Sequence, residues 1–110
     1  MRHRVIWTPG ALGDLTSMAD YWHACGALEH AQDLQQRLRD AAGSLQDFPG
    51  RCRQVPELAT LGHGRHRELI VKPYRIIFRL EKTRVTVLTV IDARRDVATL
   101  VQERLLRRLA

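Results

Sequence analysis

Residues 65–96 alternate apolar and polar side chains as a half-buried sheet does, yet this same stretch, RHRELIVKPYRIIFRLEKTRVTVLTVIDARRD, carries seven arginines. An arginine head is seldom buried unless it is paired. Several of Arg65, Arg67, Arg75, Arg79, Arg84, Arg94 and Arg95 are therefore expected to line an open sheet face or a partner's contact surface. The second half of the chain is where function is to be sought.

The alternation divides into three strands. Residues 66–72 turn at Lys72-Pro73 into 74–80, and Glu81-Lys82-Thr83 leads into 84–91. In the middle strand Tyr74, Ile76, Phe78 and Leu80 share one face, and Arg75, Ile77 and Arg79 share the other. The last strand is apolar on both sides. Val85, Val87 and Ile91 fall on one side and Leu88 and Val90 on the other, so both need cover.

The first half reads differently. Arg4-Val5-Ile6-Trp7 is a short strand, Thr8 offers an N-cap hydroxyl, and Pro9 sits in the first helical turn, where proline is tolerated best. Ala11, Leu12, Leu15, Met18, Ala19 and Trp22 then recur at helical spacing until Cys25-Gly26. A second helix is expected over 27–48, with Leu28, Ala31, Leu34, Leu38, Leu45 and Phe48 along its stripe, and Pro49-Gly50 stops it. The short break favours an antiparallel helical hairpin, which should cover the face of Tyr74, Ile76, Phe78 and Leu80. Residues 51–64 form a loop. Asp96 caps a last helix whose stripe is Val97, Leu100, Val101, Leu105 and Leu109, and this helix either covers the second face of the sheet or leaves it for a partner. The expected fold is α+β: the hairpin on a mostly antiparallel four-stranded sheet, with a C-terminal helix.

A chain of 110 residues suits one compact domain, 1–110. Its net charge of +6 is uneven. Residues 1–50 hold four Arg/Lys against six Asp/Glu, or −2, while residues 51–110 hold fourteen against six, or +8. Such a basic half suits an anionic partner, nucleic acid or acidic protein. Sixteen of the eighteen basic residues are arginine, whose planar fork fits carboxylate or phosphate. No apolar run reaches membrane-spanning length and no signal peptide opens the chain, so the expected compartment is the cytoplasm, with Cys25 and Cys52 reduced.

Chemistry is sparsely signalled. His63 and His66 supply too few ligands for a metal, and no cofactor motif is present, so neither metal nor cofactor is expected. Arg67, Arg75, Arg79 and Arg95 are candidates to clamp a phosphate. Arginine does not deprotonate at neutral pH, so cleavage would also need a proton-transfer group. His66, Glu68, Tyr74 and Asp92 are the nearby options.

In this order the motifs resemble the RelE/ParE superfamily of toxins from type II toxin–antitoxin modules. The matching segments are Trp7-Thr8-Pro9 with Ala11 and Asp14-Leu15, then Asp20-Tyr21 closing the first helix, Leu45-x-x-Phe48-Pro49-Gly50-Arg51 and Val55-Pro56-Glu57-Leu58. Arg67-Glu68-Leu69, Tyr74-Arg75-Ile76-Ile77-Phe78-Arg79 and Val90-Ile91-x-x-Arg94-Arg95-Asp96 follow. The Pro-Glu-Leu and Arg-Glu-Leu motifs look more like ParE members, and the resemblance implies inhibition of DNA gyrase, growth arrest and neutralisation by a cognate antitoxin. The alternative it implies is a RelE-like endonuclease that cuts mRNA on the ribosome. There Arg75 and Arg95, with His66, would be catalytic; Val101 stands where such enzymes carry a tyrosine, and Asp92 where the last strand often ends in histidine. The target-binding candidates are Arg67, Arg75, Arg79, Arg94 and Arg95. Leu88 and Val90, edged by Arg75 and Arg79, are expected to form an exposed apolar strip for the antitoxin.

Overall fold

The computed structural model describes residues 2–60, 62, 65–94, 97–101 and 103. The chain runs β1 (Arg4–Trp7), α1 (Pro9–Ala24), α2 (Leu28–Gly43), β2 (Arg53–Gln54), a single turn α3 (Pro56–Ala59), β3 (His66–Val71), β4 (Tyr74–Leu80), β5 (Arg84–Asp92) and α4 (Val97–Val101). The sheet order is β1-β5-β4-β3-β2, antiparallel except where β1 joins β5. The α+β architecture is the expected one, with five strands instead of four because Arg53–Gln54 pairs with Arg67 and Glu68 at the edge.

Thr8 caps α1, its hydroxyl accepting from the Ala11 amide at 3.2 Å, and Pro9 opens the first turn. Gly26, at φ 79°, lets the chain reverse into α2. The hairpin packs Leu15, Leu34 and Leu38 on Tyr74, Ile76, Val87 and Val90. It does not reach Phe78, which forms an adjoining cluster with Leu45, Cys52 and Val85, Leu80 packing at its margin. Here α2 departs from the helix expected over 27–48. It ends at Gly43 and tightens into 3-10 turns at Ser44–Gln46 and Pro49–Arg51. Leu45 still points inward, but the stripe is lost beyond it: Phe48 is 79% exposed with φ 52°, and Leu28, at the other end of the stripe, is exposed too.

Between Thr89, opposite Ile77, and Val87, opposite Phe78, β5 carries one residue more than β4, a bulge at Leu88. The bulge shifts the alternation by one. Val90 therefore faces the hairpin, while Leu88 and Ile91 face the other side with Ile77, Val55, Leu58, Leu100 and Val101. That second face is covered, by α3 and α4. The hairpin holds the irregularity in place: the Thr8 hydroxyl donates to the Val87 carbonyl at 2.9 Å. One Asp14 carboxylate oxygen accepts from the Val90 amide at 3.0 Å and the Thr89 hydroxyl at 2.6 Å. The cap Asp96, the stripe residues Leu105 and Leu109, and His63 lie outside the described residues.

Candidate functional site

The expected open arginine face is closed by carboxylates. Arg75, on β4, is 6% exposed, and Glu68, its neighbour on β3, is 1% exposed. The Arg75 guanidinium donates through Nε to Glu68 Oε1 at 2.6 Å, and through Nη1 and Nη2 to Glu57 Oε2 and Oε1 at 3.0 and 2.8 Å. The other Glu68 oxygen accepts from Arg53 Nε at 2.5 Å. The ladder Glu57–Arg75–Glu68–Arg53 thus ties α3 and β2 to the middle of the sheet. Charge-assisted, bidentate bonds of this kind are the strong ones. They hold the Glu57 carboxyl below its usual value, the bond to Arg75 outweighing burial, and raise the Arg75 guanidinium above its own.

The remaining candidates are dispersed. Arg67 is half-buried, its Nη1 donating to the Cys52 carbonyl at 2.6 Å. Arg79 donates to Glu81 at 3.1 Å, and the exposed Arg94 grips Asp92 with Nη2–Oδ2 at 2.7 Å. That grip raises the Arg94 guanidinium above its usual value. His66 is 3% exposed on β3, beneath the surface. Arg95 lies outside the described residues. The exposed strip expected of Leu88 and Val90 does not form: the bulge sends them to opposite faces, and both are buried, at 8% and 3% exposure. Arg75 is sealed beneath α3 and does not edge such a strip. Cys25 and Cys52 are both free thiols.

Between α1 and the end of β5 lies an open cleft of about 450 Å³, lined by Asp14, Met18, Tyr21, Tyr74, Asp92 and Leu100. Tyr21 is 61% exposed at its rim and meets Trp22 edge-on, ring centroids 5.1 Å apart. Tyr74 and Asp92, two of the proton-transfer options in the sequence, both line this cleft. Asp14 and Glu57 both lie inside the motifs quoted above, which is the one signal that marked them. No described helix is long and apolar enough to cross a membrane.

The family model of the ParE toxin of the type II toxin–antitoxin system parDE matches residues 5–97. The chain belongs to this family. Within the wider RelE/ParE superfamily, it is 42% identical over 74 residues to Toxin RelE2 of Caulobacter vibrioides, a match spanning 67% of this chain and 75% of the relative. Its fold is shared with the chromosomal ParDE toxin–antitoxin system from P. aeruginosa, at TM-score 0.67 and 20% identity over 83% of this chain and 96% of that one. It is also shared with the RelBE2 toxin–antitoxin complex of Mycobacterium tuberculosis, at TM-score 0.63 and 18% identity over 84% and 92%. In this ParE-family toxin the motif residues Glu57, Glu68 and Arg75 are the members of one ion ladder.

Proposed function

We propose that this ParE-family toxin inhibits DNA gyrase, and through it DNA replication, by presenting a binding surface, and that a cognate antitoxin neutralises it. The observation that carries the reading is the sealed Arg75. RNA cleavage in this family's alternative mode would use that guanidinium on a phosphate, and here three of its nitrogens are committed to Glu57 and Glu68. Val101 adds to this: it is 1% exposed within an apolar cluster and offers no proton. A surface inhibitor needs neither group.

The antitoxin is expected at the open cleft, where the exposed Tyr21 ring beside Met18 and Tyr74 offers an amphipathic segment an aromatic anchor. Tyr21→Ala should weaken antitoxin binding by about 2 kcal/mol, the scale of an aromatic hot spot; calorimetric titration measures it. Leu88→Ala, under α4, should leave the same titration unchanged.

The likeness to a toxin named RelE2 favours the second reading, a ribosome-dependent mRNA endonuclease. Antitoxin-free protein added to a supercoiling assay and to translating ribosomes separates the two. Blocked supercoiling with intact message supports gyrase inhibition. Codon-linked cuts with normal supercoiling would replace it by the endonuclease.

A further inference from the structure

At the end of the sheet away from the Tyr21 cleft, the β4–β5 turn borders a second cleft of about 640 Å³, lined by Arg4, Arg65, Leu80, Lys82, Thr83 and Arg84 together with Glu81. Backbone bonds assemble it: the Arg4 amide donates to the Thr83 carbonyl at 2.9 Å, and the Leu80 amide to the Arg65 carbonyl at 3.1 Å. Arg4 and Arg84 are direct partners across the parallel β1–β5 pair. The carboxylate of Glu81 is already taken by Arg79 at 3.1 Å and Arg84 at 2.9 Å. Arg4, Arg65 and Lys82 are left exposed, with no ion pair among the described residues.

The turn next to this cleft carries an exposed aromatic residue. The turn carrying Phe48 abuts the cleft at Leu80, since a Cβ on Gly50 would lie 3.9 Å from Leu80 Cδ2. Phe48 is 79% exposed and sits at φ 52°, a conformation that glycine or asparagine adopts far more readily. A large apolar ring is thus held in solvent on a strained backbone, and neither burial nor turn geometry accounts for it. Arg51, three residues on, is also exposed.

We propose that this end of the sheet binds a single strand of nucleic acid, its phosphates on Arg4, Arg65 and Lys82 and an unstacked base on Phe48. Exposed cations along a groove with an aromatic platform are the two elements that grip a single strand without reading its sequence. An acidic protein segment would use the charges but has no use for the ring. A duplex would meet the charges too, yet its bases are already stacked. The inference goes beyond the gyrase reading and does not depend on it.

The test is fluorescence anisotropy of a labelled oligothymidylate with the full chain, across a salt series. Binding should weaken with salt, log K falling by about 0.7 per phosphate contacted for each unit of log salt. Arg65→Ala with Lys82→Ala should flatten that slope by about 1.4. Phe48→Asn suits the positive φ and so spares the fold; it should weaken binding about tenfold with the slope unchanged, while Phe48→Trp binds as the parent does. Tighter binding of oligouridylate than oligothymidylate would still support the site and name the strand as RNA. No binding at low salt would overturn the proposal. So would duplex bound as tightly as single strand and indifferent to Phe48→Asn, or polyglutamate competing equally well, which would make the partner an acidic protein.

Discussion

On one face of the sheet Ile76, Val87 and Val90 meet Leu15, Leu34 and Leu38 of the helical hairpin in an apolar contact, with the Asp14 carboxylate set at the bulge beside it. On the other, Ile77, Leu88 and Ile91 share the ground with the buried Glu68 and Arg75 and are roofed by short elements, α3 and α4. The first face is held by area removed from water, which is forgiving of detail. The second is held by a ladder whose buried members, Glu68 and Arg75, need their counter-ions, because a buried charge without one is costly. Arg75, the motif arginine expected from the sequence to act on a target, lies on the second face. There two carboxylates commit its guanidinium to the fold.

The largest expected effects come from breaking each face once. Phe78→Ala should destabilise by roughly 3–5 kcal/mol through the cavity it leaves, and Arg75→Ala by roughly 3–5 kcal/mol because the buried Glu68 keeps only the exposed Arg53 as counter-ion. Urea denaturation measures both. The comparison sharpens on a second substitution. Adding Glu68→Leu to Arg75→Met should restore most of the stability, since an apolar pair can replace a buried ionic one, and Glu57 and Arg53 are exposed enough to return to water. No second truncation beside Phe78 should rescue the cavity.

Asp14→Ala should cost about 2 kcal/mol, because the Val90 amide and Thr89 hydroxyl lose a charged acceptor at the bulge. Thermal melting with an amide-exchange readout at Val90 checks it. A smaller effect, about 1 kcal/mol, is expected of the Glu57–Arg75 bond, and it has a pH signature. Because the folded-state Glu57 carboxyl lies below its unfolded value, the unfolded chain binds the proton first as pH falls. Its contribution is complete above the ordinary glutamate range and is lost as pH drops through the folded value. Glu57→Gln should flatten the stability profile in that acidic window and leave the neutral-to-alkaline side parallel to the parent.

Much of the hairpin face was legible in the chain. The Leu15 and Leu34–Leu38 spacing, the Thr8-Pro9 cap and the Lys72-Pro73 turn each have a local physical cause, and each stands where it was expected. The other face was not. A bulge is one residue without a compositional signature, so strict alternation put Val90 beside Leu88 and Ile91 beside Val87, the reverse of their places. Phe48 was assigned to the core by extending a helical stripe past Gly43, where the 3-10 turns change the angular step. The ion ladder drew on Arg53, Glu57, Glu68 and Arg75, from four separate elements, and only the pairing of β2, β3 and β4 brings them together. Arginines visible as a surplus of charge were in part already paired.

Whether Arg75 serves the fold or the target is answered by one growth assay of the Arg75→Met/Glu68→Leu protein. Expressed without antitoxin, and shown by urea denaturation to be as stable as the parent within about 1 kcal/mol, it should arrest growth as the parent does and be rescued by the antitoxin. A folded but harmless protein that still binds antitoxin would mean that the guanidinium acts on the target, and would contradict the account.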